Sequence, residues 1–418
     1  MSVANDVPFD VDHPAFSLWR NRDFLLLWSG HLVSTAGTQI TDLALPLLVL
    51  ALTGSPAQAG IVAACGAVPR FLLALPAGVL VDRLDRKRVM IACDVLRALA
   101  LASIPVALAL GRLSMPQLYL VSFVLGAGFT FFFLARVSAL PRVVSREQLP
   151  SAVARQEAAD SVVTLASPPL GGIIFGLGRA LPFLADAISY VVSAISLGFI
   201  RVPFQQRRAE QESAGSLWGD MLVGMRWLWH APLVRFMALV YAGFALFLTF
   251  ETLGVIVRAQ EQHATPLGIG LIVAAGGVGG LGGALLGPWV QRRFRFGQVL
   301  PVLHWIYVAS MVLYALAPSP LALALVEAGG MANDQIYDII WPSYRMALIP
   351  DALQGRVTSA YRLVLSSMLP VGTVLGGVLI QRLGASAALL VGACGLALLA
   401  LAVTFNPHVR AAPPIDKL

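Results

Sequence analysis

Long apolar runs separated by short polar stretches recur along the whole of this chain. A helix of roughly twenty apolar residues crosses a hydrocarbon layer of about 30 Å, and the pattern predicts twelve such segments: 24–51, 57–81, 89–110, 116–138, 155–178, 182–203, 234–257, 267–290, 298–317, 320–344, 357–381 and 386–405. The runs are continuous and lack the ten-residue alternation of barrel strands, so helices are expected. Several connections are too short to hold a folded domain.

The pattern also repeats. GVLVDRLDRKRV, from Gly78, and the basic stretch GPWVQRRFRFGQV, from Gly287, each follow an apolar run and stand 209 residues apart. Pro141 and Pro350, each opening a polar connection, are separated by the same distance, and the LGG triplets that begin at Leu170 and Leu375 lie 205 residues apart. Three features in the same order and spacing indicate a duplication. Six segments separate equivalent features, so both copies run the same way through the membrane, as bundles related by an axis along its normal. Residues 1–203 are expected to form one six-helix bundle and 233–418 the other. The polar linker 204–232 between them holds an amphipathic helix in its second part.

Composition agrees: 58% of the 418 residues are hydrophobic and 12% charged, and the mean hydropathy is +0.79, outside the soluble range. Residues 1–22 carry Asp6, Asp10 and Asp12 before Arg20 and Arg22, unlike a signal peptide. Cations settle the expected orientation, because connections rich in Lys and Arg stay in the cytoplasm. With the amino terminus inside, the inside connections hold Arg83, Arg86, Lys87, Arg88, Arg142, Arg146, Arg207, Arg208, Arg226, Arg292, Arg293 and Arg295. The outside ones hold only Arg112, Arg179, Arg258 and Arg382. A multi-pass protein of the cytoplasmic membrane with both termini inside is expected. The net charge of +7 then calls for anionic lipid rather than nucleic acid. Cys65, Cys93 and Cys394 all fall within apolar segments and read as small packing residues.

The chain resembles the major facilitator superfamily over essentially its whole length. Gly78, Leu80, Asp82, Arg83, Arg86 and Lys87 resemble that superfamily's loop motif between helices two and three, with Asp85 where many members have glycine. ALPLLVLALTGSPAQAGIV, DALQGRV and the LGG segments resemble its drug and siderophore exporters, the transmembrane secretion effector-like branch. Pro168, Pro169, Gly171 and Gly172 are similar to the exporters' antiporter signature, with Ser167 where glycine is usual. The resemblance implies an all-α membrane fold of twelve helices in two pseudo-symmetric bundles, and a cavity lined by helices one, four, seven and ten. It also implies that the loop motif meets the start of helix eleven near Arg356. Asp82 is expected to latch the inner side shut there and to release it when that side opens.

Ionisable residues inside the segments narrow the function, since a charge at bilayer depth costs several kcal/mol unless paired or hydrated. Asp42 and Glu251 occupy equivalent segments at similar depth, and Arg70 falls near the middle of segment two. Segment ten adds Glu327, Asn333, Asp334, Gln335 and Asp338. We therefore expect proton coupling or substrate contact at Asp42, Arg70, Glu251, Glu327, Asn333 and Asp338. Asp94 with Arg97 reads as a structural pair; Arg136 lies near an inner end, and His31 and His304 read as packing residues. Trp19, Trp28, Trp289, Trp305 and Trp341 lie near segment ends, where indoles favour the interface. Phe129, Phe131, Phe132, Phe133, Phe244, Phe247 and Phe250 fit either an aromatic cavity wall or lipid-facing packing.

Gly276, Gly280, Gly283 and Gly287, with Gly279, let a neighbouring helix approach segment eight; Gly277, Gly279 and Gly282 satisfy GxGxxG, but no strand precedes them. Neither GxSxG nor HExxH nor paired Cys and His ligands suggest catalysis. A secondary transporter is expected, exporting a small amphipathic compound against protons by alternating access. It would need no metal or other cofactor beyond the proton gradient and would act as a monomer, with substrate, protons and membrane lipid as partners. A proton-coupled importer or facilitator and a lysolipid flippase remain the alternatives.

Overall fold

The computed structural model describes residues 18–204 and 217–412. Asp6, Asp10, Asp12, Arg207, Arg208 and the side chain of Asp82 lie outside the described residues. The first half of the chain forms α1 (Arg22–Thr53), α2 (Pro56–Leu72), α3 (Ala74–Arg83), α4 (Arg86–Ala109), α5 (Met115–Val143), α6 (Leu149–Leu177) and α7 (Leu181–Phe199). After α8 (Leu217–His230), the second half forms α9 (Pro232–Glu261), α10 (Pro266–Arg293), α11 (Phe296–Leu316), α12 (Pro320–Leu348), α13 (Gln354–Leu383) and α14 (Ala385–Phe405), with one more turn at Pro407–Arg410.

Local chemistry sets many of these boundaries. Asn21, Ser55, Asp85, Thr265 and Ser319 each cap a helix by accepting a backbone N–H, which satisfies a donor the helix itself leaves open. Ser55–Pro56 and Thr265–Pro266 open the second helix of each half in the same way. Gly54 ends α1 in the left-handed region at φ 63°.

Every predicted segment falls on helix. Among the described residues, ten helices are individually long and apolar enough to cross a membrane. The second segment is divided at Leu73 into α2 and α3, because Pro76 has no N–H to return to Leu72. The tenth segment, α12, carries Glu327, Asp334, Asp338 and Arg345.

The duplication is visible in the packing. α1 packs on α6 and α7, α4 on α5 and α7, and α2 on α5. Each contact has its counterpart: α9 on α13 and α14, α11 on α12 and α14, and α10 on α12. The fold is therefore an all-α membrane fold of twelve spans in two pseudo-symmetric six-helix bundles. Contact between the bundles is symmetric too, α2 on α13 and α6 on α10.

The LGG triplets make these contacts possible. A Cβ at Gly171 would stand 3.3 Å from Ile40 Cα on α1, and one at Gly172 would stand 2.9 Å from Leu267 Cα on α10. In the second copy, a Cβ at Gly376 would stand 2.8 Å from the Phe250 ring on α9, and one at Gly377 3.1 Å from Gly60 Cα on α2. The first glycine of each pair thus packs within its own bundle and the second against the other bundle. Both contacts lie where α2 and α10 begin and α6 and α13 end. Ser55 Oγ donates to Gln381 Oε1 there at 2.6 Å.

Buried polar groups fix the first bundle. Arg97 donates to Asp94 at 2.5 Å with both side chains almost fully enclosed, and its guanidinium lies 4.2 Å over the Tyr190 ring and 4.7 Å over Phe132. This matches the structural pairing expected for them, since enclosed ions must be paired. Trp341 corrects an expectation. It is 2% exposed and donates to the Tyr361 hydroxyl at 2.7 Å; α12 runs on to Leu348, which places Trp341 two turns inside the helix rather than at an interface.

Gly172→Leu or Gly377→Leu is expected to wedge the bundles apart at this end. A cysteine at Gln39, in a chain without Cys65, Cys93 and Cys394, should then react faster with a membrane-impermeant thiol reagent added from the side where α2 begins. Unchanged labelling would mean that these contacts do not seal that side.

Candidate functional site

Between the bundles lies a cavity of about 670 Å³. It runs from Pro168, Leu248 and Val273, near the glycine contacts, to Glu157, Ala284 and Asp338 toward the opposite end. Helices α1, α6, α9, α10 and α12 line it. Gly276 and Gly280 of α10 give it room, while Gly279 and Gly283 pack against the α12 backbone at Ala328 and Ala332. Gly280, expected to accept a neighbouring helix, meets nothing within 4 Å and faces the cavity instead.

Every charged residue described in the lining is a carboxylate. Asp42, Glu251, Glu327 and Asp338, all expected site residues, contribute side chains, and Asp334 joins them. Glu157 and Asp160 of α6 complete the set, and among the described residues no Lys or Arg lines this cavity. Sequence reasoning passed over that last pair. Their three-residue spacing in QEAAD, followed by Thr164 four residues on, marks one helix face. His31 Nε2 lies 3.4 Å from Asp160 Oδ1, so it faces an acid rather than serving packing alone.

A shared hydroxyl lies behind the cavity wall, on the fully buried Tyr314. The Tyr314 oxygen lies 2.8 Å from Glu251 Oε1 and 2.8 Å from Glu327 Oε2, joining α9 to α12 through α11. Two O–H···O bonds need two hydrogens, and the phenol carries one. Both contacts are therefore satisfied as hydrogen bonds only when one of the two glutamates is protonated and the phenol donates to the other. A Cβ at Gly276 would stand 3.1 Å from Glu327 Oε1 and one at Gly330 3.2 Å from the Tyr314 oxygen, so both glycines make space for this triad. Tyr314 was not legible as a site residue, because a tyrosine in an apolar run reads as core. The Tyr307 hydroxyl similarly donates to Asp334.

Other expected residues lie elsewhere. Asn333 turns away from the cavity, and its amide donates to Leu303 O at 3.2 Å, tying α12 to α11. Arg70 lines smaller pockets in the first bundle that also include Asp42. His304 packs against Phe244 and Tyr337, with Nδ1 2.8 Å from Leu300 O. The two-sided aromatic wall does not form: Phe244 and Phe250 are enclosed in the second bundle, while Phe129 and Phe133 line a pocket of the first.

The loop motif acts as a brace. Lys87 Nζ donates to Gly198 O at 3.0 Å and Ile200 O at 2.7 Å, capping α7. Arg86 donates to Ser138 O of α5 at 3.1 Å. Asp85 caps α4 through the Arg88 N–H and lies 3.9 Å from its exposed guanidinium. Gly78 and Arg83 sit in α3, which packs on α5. Arg356 opens α13 beneath α8, where a Cβ at Gly224 would stand 3.1 Å from Val357 N. The expected contact of Asp82 with Arg356 lies outside the described residues.

Two bundles related by a duplication, meeting at one end around an acidic cavity, define a secondary transporter of the major facilitator class. More narrowly, the chain belongs to the transmembrane secretion effector family, whose profile matches residues 13–416. It is 28% identical over 399 residues to the multidrug efflux pump Tap of Mycolicibacterium fortuitum, covering 92% of this chain and 96% of that protein. It is 22% identical to macrolide efflux protein A of Streptococcus pyogenes, over 88% and 92% of the two chains. Among solved structures it resembles a bacterial homologue of the iron transporter ferroportin in an inward-facing state, with a TM-score of 0.73, 18% identity, and 93% and 98% coverage. The nucleoside transporter NupG gives a TM-score of 0.70 at 14% identity, over 91% of this chain and 98% of that one.

Glu327→Gln tests the hydrogen count, because an amide supplies the hydrogen that a carboxyl must otherwise hold. It is expected to cost no more than about 1 kcal/mol in unfolding free energy in detergent. A clear gain in stability instead would mean that both glutamates are ionised, because the amide then removes one of two repelling charges.

Proposed function

We propose that this protein is a proton-driven exporter of small amphipathic organic cations, acting as a monomer in the cytoplasmic membrane with both termini inside. The acidic cavity with its shared-proton triad carries the reading. Seven carboxylates line one space, without Lys or Arg among the described lining residues. Such a space favours cationic cargo by charge complementarity. The names of the relatives, multidrug efflux pump and macrolide efflux protein, support the direction and the breadth of cargo.

The basic loops, placed in the cytoplasm, make the glycine-sealed end the outer one. The cavity then faces inward. A cation entering from the cytoplasm competes with the proton shared by Glu251, Tyr314 and Glu327, and its binding releases that proton inward. Rocking of the bundles about the LGG contacts exposes the cargo outside, where protons displace it and reload the triad. Cargo and proton compete for the same carboxylates, so occupancy by one excludes the other and the exchange is coupled. The proton gradient is the energy source, and no other cofactor enters the cycle.

Proteoliposomes loaded with ethidium test this. Transport should follow an imposed proton gradient and stop when an ionophore collapses it. Glu251→Gln should lose the gradient's effect, a change of roughly tenfold on the scale of ordinary coupling energies. Transport that continues unchanged after collapse would exclude exchange and favour a facilitator. Movement of a fluorescent lysolipid in its place would favour a flippase.

A further inference from the structure

The first bundle holds a second pocket of about 240 Å³ that the export cycle above does not use. Its walls include Arg70, Phe129, Phe133, Arg136 and His31. Phe129 and Phe133, one turn apart on α5, stack with centroids 6.0 Å apart and planes 16° from parallel. The Arg70 guanidinium lies 4.7 Å over the Phe129 ring, and that of Arg136 lies 5.8 Å from the Phe133 centroid. A guanidinium held over a ring by its π-face charge still has N–H groups to offer an anion.

Among the described residues, neither arginine has a carboxylate within 4 Å, whereas Arg97, which lines the same pocket, is paired with Asp94. Asp42 lines the pocket without closing an ion pair to either of them. A cation at bilayer depth needs an anion or water, and two planar forks suit a carboxylate in particular. Gln39 and Asp42 also line the central cavity, so the two spaces share a wall. One side of the transport path is acidic and the other offers two guanidiniums on aromatic faces.

We propose that this pocket is an anion subsite, and that the preferred cargo is zwitterionic: an aromatic or apolar body with a cationic group for the acidic cavity and a carboxylate for Arg70 and Arg136. The proposal rests on the cationic-cargo reading and adds to it the second charge. The ring pair holds the apolar body beside the carboxylate, and the arginines distinguish the acid from its ester.

Rhodamine 110, a cationic dye with a free carboxyl group, and rhodamine 123, its methyl ester, separate the two readings. Fluorescence polarisation with the full chain purified in detergent should show the acid bound about tenfold more tightly than the ester, the scale of a charge-assisted pair. Arg70→Gln combined with Arg136→Gln should bring acid binding down to the level of the ester, with folding of the variant checked separately by its unfolding temperature in the same detergent. Arg70→Lys, which keeps the charge and loses the fork, should retain part of the preference. Equal affinity of the wild type for the two dyes would overturn the subsite and leave the export reading standing. An equal loss of both dyes in the double variant would also overturn it. Binding of neither dye to the wild type would overturn the subsite together with the cationic-cargo reading beneath it.

Discussion

Two helix backbones approach each other closely only where no side chain stands between them, and the two bundles of this protein meet at such places. Gly172 admits the start of α10 and Gly377 the start of α2, while Gly171 and Gly376 let α6 and α13 settle against the first helix of their own bundle. Everything below this seam follows from it. The bundles are pinned together at one end, so the space between them lies toward the other. Water in that space meets the carboxylates that the membrane would otherwise reject.

Charge is distributed unequally across that space. The second bundle contributes Glu251, Glu327, Asp334 and Asp338, and α6 of the first adds Glu157 and Asp160. Arg70 and Arg136 stand behind Asp42 in the first bundle's own pocket. The duplication therefore supplied a symmetric scaffold, and later divergence of side chains made its two faces chemically different. α12 and α5 are equivalent in packing, yet one carries a row of acids and the other paired phenylalanines with Arg136.

Much of the fold was legible, because membrane crossing imposes a length and an apolarity that a sequence cannot hide. The twelve segments, the duplication and the LGG pairs could be read from spacing alone. Their partners could not: the sequence does not say that Gly172 faces α10 or that Gly377 faces α2. The candidate site was legible in part. Asp42, Glu251, Glu327 and Asp338 stood out as charges among apolar neighbours and do line the cavity. Glu157 and Asp160 sit near the start of a span and resembled its polar border, and Tyr314 gave no signal because its importance arises only where α9, α11 and α12 converge. Asn333 was misplaced because one residue of helix rotation separates a cavity face from a packed one. Trp341 was misplaced because the end of α12 was set too early.

The seam between the bundles has a further consequence for how the protein tolerates its surroundings. Gly60, Pro56, Gly377 and Thr373 on one side, and Gly172, Gly270, Pro168 and Pro266 on the other, include no ionisable group. Close packing and backbone polarity hold them, and neither salt nor acidity alters those at ordinary strength. The door is thus electrically silent. The cavity carboxylates can change their protonation without loosening this contact, which keeps the chemistry of the cavity and the closure of its end separate.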